Sequence, residues 1–202
     1  MFTTWFKPSG IPCFPPHADP SGDCVLARLP RERREGDWPQ RFRGGIAHRL
    51  DVWTSGALVL ADDPEALDRL RQLFADKAFT KTYVFLASRD VSWDANACDR
   101  PIAHDRRKKR RVIVQRGKNT PHRGKWYPAE TRFRRIDGRL WEATMRSGVM
   151  HQIRVHAAFV GLPLQGDGTY GGGSGGHKLH HVGMAGPDGL RTDPVPSPEW
   201  AG

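Results

Sequence analysis

The chain has 202 residues, with 32 Lys and Arg against 22 Asp and Glu and a net charge of +10. That length fits a single globular catalytic domain over 1–202, and the charge calls for an anionic partner such as RNA or DNA. No apolar run approaches the roughly 20 residues of a spanning helix and the start does not resemble a signal peptide, which argues against a membrane protein.

Three cysteines, Cys13, Cys24 and Cys98, are odd in number and widely spaced. Neither a disulfide framework nor a zinc site follows from them, and the expected compartment is the cytoplasm. Residues 1–39 are rich in proline and turn residues, with a cationic group at Arg31, Arg33 and Arg34, and read as an extended N-terminal arm.

Asp51 precedes the apolar run Ala57-Leu58-Val59-Leu60-Ala61, with the turn residues Thr54, Ser55 and Gly56 between them. This places Asp51 at the mouth of a buried strand, as either a functional carboxylate or a capping aspartate on a surface turn. Asp63-Pro64 starts a helix whose stripe is Leu67, Leu70, Leu73 and Phe74 and whose end is expected near Lys77. Lys81 to Ala87 reads as a strand buried on both faces. Asp105 to Arg111 is the densest charge run and opens the strand-like Val112-Ile113-Val114. Such runs are usually solvated, and in a chain this basic phosphate contact is the favoured role.

Asp137-Gly138 separates two strand-like segments and predicts a hairpin with a two-residue turn. Met150 to Val160 predicts a helix with Ile153, Ala157 and Val160 on its core stripe, ending at Gly161 and leaving Arg154 on its flank. The glycine run after Gly171 is expected to loosen the chain, and 187–202 reads as a tail. His177, His180 and His181 have a spacing able to hold a metal, but no carboxylate ligand lies close in sequence, so none is expected.

The run His48-Arg49-Leu50-Asp51-Val52-Trp53-Thr54-Ser55-Gly56 resembles the motif of the RluA-type RNA pseudouridine synthases. Further resemblances follow in family order: Lys7-Pro8-Ser9-Gly10, Lys81-Thr82-Tyr83, Gly124-Lys125 with Ala129-Glu130-Thr131, His151-Gln152-Ile153-Arg154-Val155-His156, Gly161 to Asp167 with Tyr170-Gly171, and Leu179-His180. The resemblance implies an α+β fold, with a mixed, mainly antiparallel sheet flanked by helices and a basic active-site cleft. It also implies isomerisation of uridine in ribosomal or transfer RNA, with no cofactor and no metal; a monomer is expected, although the sequence does not reveal whether the protein dimerises.

Pseudouridine formation breaks the bond from N1 of uracil to C1′ of ribose, rotates the base and joins C5 to C1′. A carboxylate must act at the anomeric carbon and a group must help remove the C5 proton. By resemblance Asp51 is that carboxylate, acting either as a nucleophile at C1′ or on the 2′ proton. Arg154 is the cation that keeps it ionised, and Tyr83 the ring beside the target base, with a surface arginine and a core tyrosine as their ordinary readings. The target must be flipped out of its stack, and Arg49 is the candidate to fill the gap. His48, Lys81, His151, Arg106, Arg107, Lys108 and Lys109 are candidate RNA contacts.

Two departures from the family pattern stand out. Gly148-Val149-Met150 replaces the usual Gly-Arg-Thr before His151, and the strand that usually precedes the Lys-Pro segment, like a separate small RNA-binding domain, is not expected here. Two rival functions are a noncatalytic RNA-binding or RNA-remodelling protein on a synthase scaffold and a metal-dependent phosphodiesterase using the histidine cluster.

Overall fold

The computed structural model describes residues 1–16, 19 and 22–201. Residues 17, 18, 20 and 21 of the expected arm, and 202 of the expected tail, lie outside the described residues. The chain divides into two compact units, Met1–Thr80 with His180–Pro198, and Lys81–Leu179 with the residues from Glu199.

In the first unit, strand β2 (Thr54–Ala61) is buried at every position, as the apolar run Ala57–Ala61 predicts, but it begins three residues earlier and takes in Thr54, Ser55 and Gly56, which read as turn residues. Strand β1 (Phe2–Lys7) pairs with it antiparallel, from Phe2 opposite Ala61 to Lys7 opposite Gly56, and β10 (Leu179–Ala185) follows β2 in the strand order. The expected extended arm therefore begins with a true strand. Its pattern is hard to read because the residue it buries completely is Lys7 rather than an apolar one. Two short helices, α1 (Val25–Arg28) and α2 (Arg31–Glu35), occupy more of the same segment.

Gly56 sits in β2 at φ +117°, and a Cβ there would be driven into the carbonyl oxygen of His181 on β10. Only glycine allows the two backbones this approach. Helix α3 (Pro64–Ala75) begins as expected, with the Asp63 carboxylate accepting the Ala66 N–H at 2.7 Å. Its Leu67 and Leu70 pack with Val59, Ala61, Phe79 and Met184, and Leu73 and Phe74 lie against the same cluster. The expected tail is partly pinned, since Thr192 exchanges bonds with the Met184 backbone and Asp193 N–H donates to Thr4 Oγ1 at 2.9 Å.

The second unit carries strands in the order β3 (Thr80–Leu86), β9 (Leu140–Met145), β8 (Thr131–Asp137) and β4 (Ala95–Cys98), with every pair antiparallel. β3 alternates rather than burying both faces: Lys81, Tyr83 and Phe85 are buried while Thr82, Val84 and Leu86 are half-buried. The β8–β9 hairpin turns one residue later than expected, on Gly138 and Arg139, with Asp137 paired to Leu140 beyond a register shift at Arg135. A positive φ of +46° at Gly138, without one at Arg139, is the pattern that takes glycine in the first turn position.

A second, three-stranded sheet goes beyond the sequence expectation. It places β5 (Ile102–Asp105) between β6 (Val112–Val114) and β7 (His122–Tyr127). Helix α4 (Gln152–Phe159) packs Val155 and Ala158 with Ile102, Val112, Val114 and Tyr170, and Gly161 follows it at φ +85°. The fold is α+β with a mainly antiparallel sheet. Among the described residues no helix is long and apolar enough to cross a membrane.

Candidate active site

Asp51 is half-buried at the start of a tight turn, which Thr54 N–H closes by donating to the Asp51 carbonyl at 3.0 Å. Its backbone is held from both sides. Upstream, Leu50 N–H donates to Cys13 Sγ at 3.4 Å while the Cys13 thiol donates back to Leu50 O at 3.6 Å. Downstream, the fully buried Lys7 ammonium donates to Val52 O at 3.0 Å, Thr54 O at 2.7 Å and Pro8 O at 3.0 Å.

Burial pushes the Lys7 ammonium down to about 8, against the opposing pull of Cys13 and Asp51. Burial likewise raises the Cys13 thiol, so it remains a neutral clasp. The sequence gives neither residue a role at the site, although Lys7 opens the family-like segment Lys7-Pro8-Ser9-Gly10. The available signal is a lysine ending an apolar segment directly before proline, which suits a cation spent on backbone carbonyls.

His48 turns inward. Its Nε2 accepts Val59 N–H at 3.1 Å, and its ring lies 5.5 Å from Phe74 and 5.7 Å from His181. These contacts tie the loop before Asp51 to β2. Arg49, by contrast, is exposed. His180 Nδ1 meets Ser55 Oγ at 2.9 Å and His181 Nδ1 bonds Ala57 O at 2.5 Å, so both serve β2. Among the described residues no three His, Cys, Asp or Glu side chains converge as a metal-binding group.

In the second unit, Arg154, expected on the flank of α4, is buried. Its Nε and Nη2 fork onto the Asp167 carboxylate at 2.7 and 3.0 Å. Burial alone would raise the Asp167 carboxyl. The Arg154 fork, the nearby His177 and the Thr169 N–H together bring it below its ordinary value. The glycine-rich turn does not loosen here but closes on Asp167, whose backbone carbonyl accepts Gly172 N–H and Tyr170 N–H while Thr169 N–H donates to its carboxylate at 3.1 Å. The sequence by itself gives Asp167 no role, although an aspartate flanked by glycines is a turn-forming signal.

Tyr170 lies under both Arg154 and Arg111, 5.2 and 5.7 Å from their guanidinium carbons. Its hydroxyl accepts Val112 N–H at 3.1 Å and meets His151 Nδ1 at 3.0 Å, and burial pushes the phenol up to about 12. His151 opens α4 with φ +55°, and Tyr170 thus fixes both the helix start and β6. Gln152 bonds Ser147, Val149, Glu130 and Thr131, while His156 bridges Thr131 Oγ1 and Arg100 O. The Arg100 carbonyl can only accept, so His156 donates from Nε2 and accepts at Nδ1; burial holds it neutral.

Tyr83 is buried on the same face of β3 as Lys81. Lys81 Nζ donates to Ser147 O at 3.2 Å and Arg146 O at 3.5 Å, and burial lowers it to about 8. Val149, at the altered segment, packs against the cluster around Tyr170, and Met150 is exposed.

Arg106, Arg107, Lys108 and Lys109 are exposed on the loop between β5 and β6. Asp105 shapes that loop by accepting Arg107 N–H at 2.7 Å and Lys108 N–H at 3.2 Å, which lowers its own carboxyl. Arg106, Arg107, Arg111 and Arg116 line an open groove of about 930 Å³ with Phe159 and Tyr170.

A sequence model of the RNA pseudouridylate synthase family matches residues 2–159. The chain is 32% identical over 174 residues to the dual-specificity RNA pseudouridine synthase RluA of Yersinia pestis, covering 81% of this chain and 75% of that protein. It is also 32% identical over 170 residues to the ribosomal large subunit pseudouridine synthase D of Nitrosomonas europaea, covering 82% and 46%. The share of the relative is smaller still, 30%, for the chloroplastic RNA pseudouridine synthase 2 of Oryza sativa, so the chain spans half or less of several relatives it matches. In fold it is similar to human RNA pseudouridylate synthase domain containing 4, with a TM-score of 0.71 at 21% identity over 98% of this chain and 86% of that one.

Proposed function

The chain belongs to the RNA pseudouridylate synthase family, and we propose that it isomerises uridine to pseudouridine in ribosomal or transfer RNA. The observation that carries this reading is Asp51, a half-buried carboxylate on a turn clamped by Cys13 on one side and Lys7 on the other. A carboxylate fixed in this way meets the need for a group held at C1′ with little reorganisation. Two routes are open to it there, attack on C1′ or removal of the 2′ proton, and both end with C5 joined to C1′ and the C5 proton released.

Arg154 supplies the positive charge and Tyr83 the ring against the uracil. Asp167 sets the direction of the Arg154 fork. Arg49 fills the stack left by the flipped nucleotide, and Arg106, Arg107, Lys108 and Lys109 meet phosphates. Lys81 and His48 act as struts, in keeping with their bonds to backbone groups. His151 orients the start of α4.

The test is tritium release from RNA labelled at C5 of uridine, taken from cells lacking this protein. Wild type should release tritium, and Asp51→Asn should lose activity by about 10³-fold or more while still binding RNA. RNA binding without release by the wild type would replace this reading with a noncatalytic RNA-binding role.

A further inference from the structure

Val52 and Trp53 occupy the two central positions of the turn that starts at Asp51, where Gly, Asn or Asp would be ordinary turn chemistry. Both point their apolar surface outward, with Trp53 47% and Val52 41% exposed, and Phe6 of β1 adds another exposed ring at 41%. The turn is not loose. Asp51 O accepts from Thr54 N–H, Val52 O from Gly10 N–H and Lys7, Trp53 O from Ser9 Oγ at 2.8 Å, and Thr54 O from Lys7. Four consecutive carbonyls are satisfied, so the backbone carrying the indole is fixed. The indole also has a floor, its Cζ3 lying 3.6 Å from where a Cβ of Gly10 would stand.

An exposed indole on a rigid turn, two residues after Asp51 and four after the exposed Arg49, is built like an aromatic platform for an unpaired base. We propose that Trp53 stacks on the nucleobase of an unpaired RNA nucleotide neighbouring the uridine that Asp51 acts on. This rests on the function proposed above and adds a second base-binding position to it. The occupant is RNA rather than protein because the chain carries +10 and the residue two places before Asp51 is an arginine. A base stacks with little dependence on its identity, so the platform sets how the strand lies across the turn and not which base follows.

The experiment compares wild type with Trp53→Ala, Trp53→Leu and Trp53→Tyr, using the tritiated RNA for both filter binding and tritium release, with Tm as a check on folding. Trp53→Ala and Trp53→Leu should bind the RNA roughly 5- to 100-fold more weakly and show a correspondingly higher KM, at unchanged Tm, while Trp53→Tyr recovers most of the affinity. Rescue by tyrosine but not leucine separates stacking from simple apolar burial.

Equal RNA affinity in wild type and Trp53→Ala overturns the platform and leaves the proposed function standing. If Trp53→Ala instead converts a wild-type dimer to a monomer at equal RNA affinity, the patch is a self-association surface and the platform is again overturned. No tritium release by the wild type would sink the proposed function, while the binding comparison would still decide whether the indole stacks on RNA.

Discussion

Arg154 and Asp167 form a buried two-pronged ion pair, with Nε to Oδ2 at 2.7 Å and Nη2 to Oδ1 at 3.0 Å. Removing one partner leaves a buried charge without its counter-charge, which typically costs about 3–5 kcal/mol. Asp167→Asn should therefore lower the denaturation midpoint clearly and reduce tritium release as well. Arg154→Lys, which keeps the charge but not the fork, should cost stability too. Urea melts of both variants, with unchanged m-values, are the check.

The same pair predicts an acid-side effect. The folded Asp167 carboxyl is held below its ordinary value, so its stabilisation is fully present above the unfolded pKa of about 3.9 and is lost as pH falls through the folded value. The stability gap between wild type and Asp167→Asn should be constant above about pH 5 and shrink below about pH 4. A gap that does not change with acid would contradict the pairing.

On the alkaline side the sign is the same. Lys81 titrates near 8 when folded and near 10.5 when unfolded, so between those values the unfolded chain binds more protons and this residue's contribution rises with pH. The stability difference between wild type and Lys81→Met should move in favour of wild type across pH 8 to 10.5, by at most about 3 kcal/mol. Lys7 titrates in the same window and adds the same trend to the wild type and to Lys81→Met alike. Thermal melts of the two proteins at pH 7.5 and pH 10 measure it.

Gly56→Ala should be among the most damaging single-methyl changes in the chain. It combines φ +117° with a collision against backbone, which cannot swing aside as a side chain can. A loss of about 3 kcal/mol corresponds to a Tm lower by roughly 6–12 °C for a domain of this size. Gly117→Ala, where nothing lies within reach of an added Cβ, is the control and should leave Tm nearly unchanged.

Neutralising Arg106, Arg107, Lys108 and Lys109 together to Gln should weaken RNA binding and flatten its salt dependence. The slope of log K against log salt should fall in magnitude by about 0.7 to 0.9 for each phosphate that is no longer neutralised. An unmoved slope would mean that the loop is only solvated. Asp105→Asn tests the loop's shape separately, because Asp105 organises the backbone that presents these cations.

Much of the framework is legible in the sequence because it depends on neighbours along the chain. The Ala57–Ala61 run, the Asp63-Pro64 helix start, the hairpin near Gly138 and the stop at Gly161 each follow from local periodicity and turn chemistry. Asp51's place before a buried strand is legible for the same reason, as is the exposure of the cations after Asp105. The partners of buried charges are not. Lys7 reaches Thr54 across 47 positions, Cys13 clasps Leu50 across 37, and Arg154 meets Asp167 only once a glycine-rich turn has folded back. A period of 3.6 puts Arg154 on a flank because periodicity reports which face a residue is on, not whether another segment covers that face. β1 escapes a reading by pattern because the side chain it buries is a lysine, and burial of a charge is decided by carbonyls supplied from elsewhere in the fold. The sequence determined the elements and the chemistry available to them. The tertiary structure decided which charges are spent holding the Asp51 turn and the Arg154 fork in place, since only long-range contacts can offset the cost of burying them.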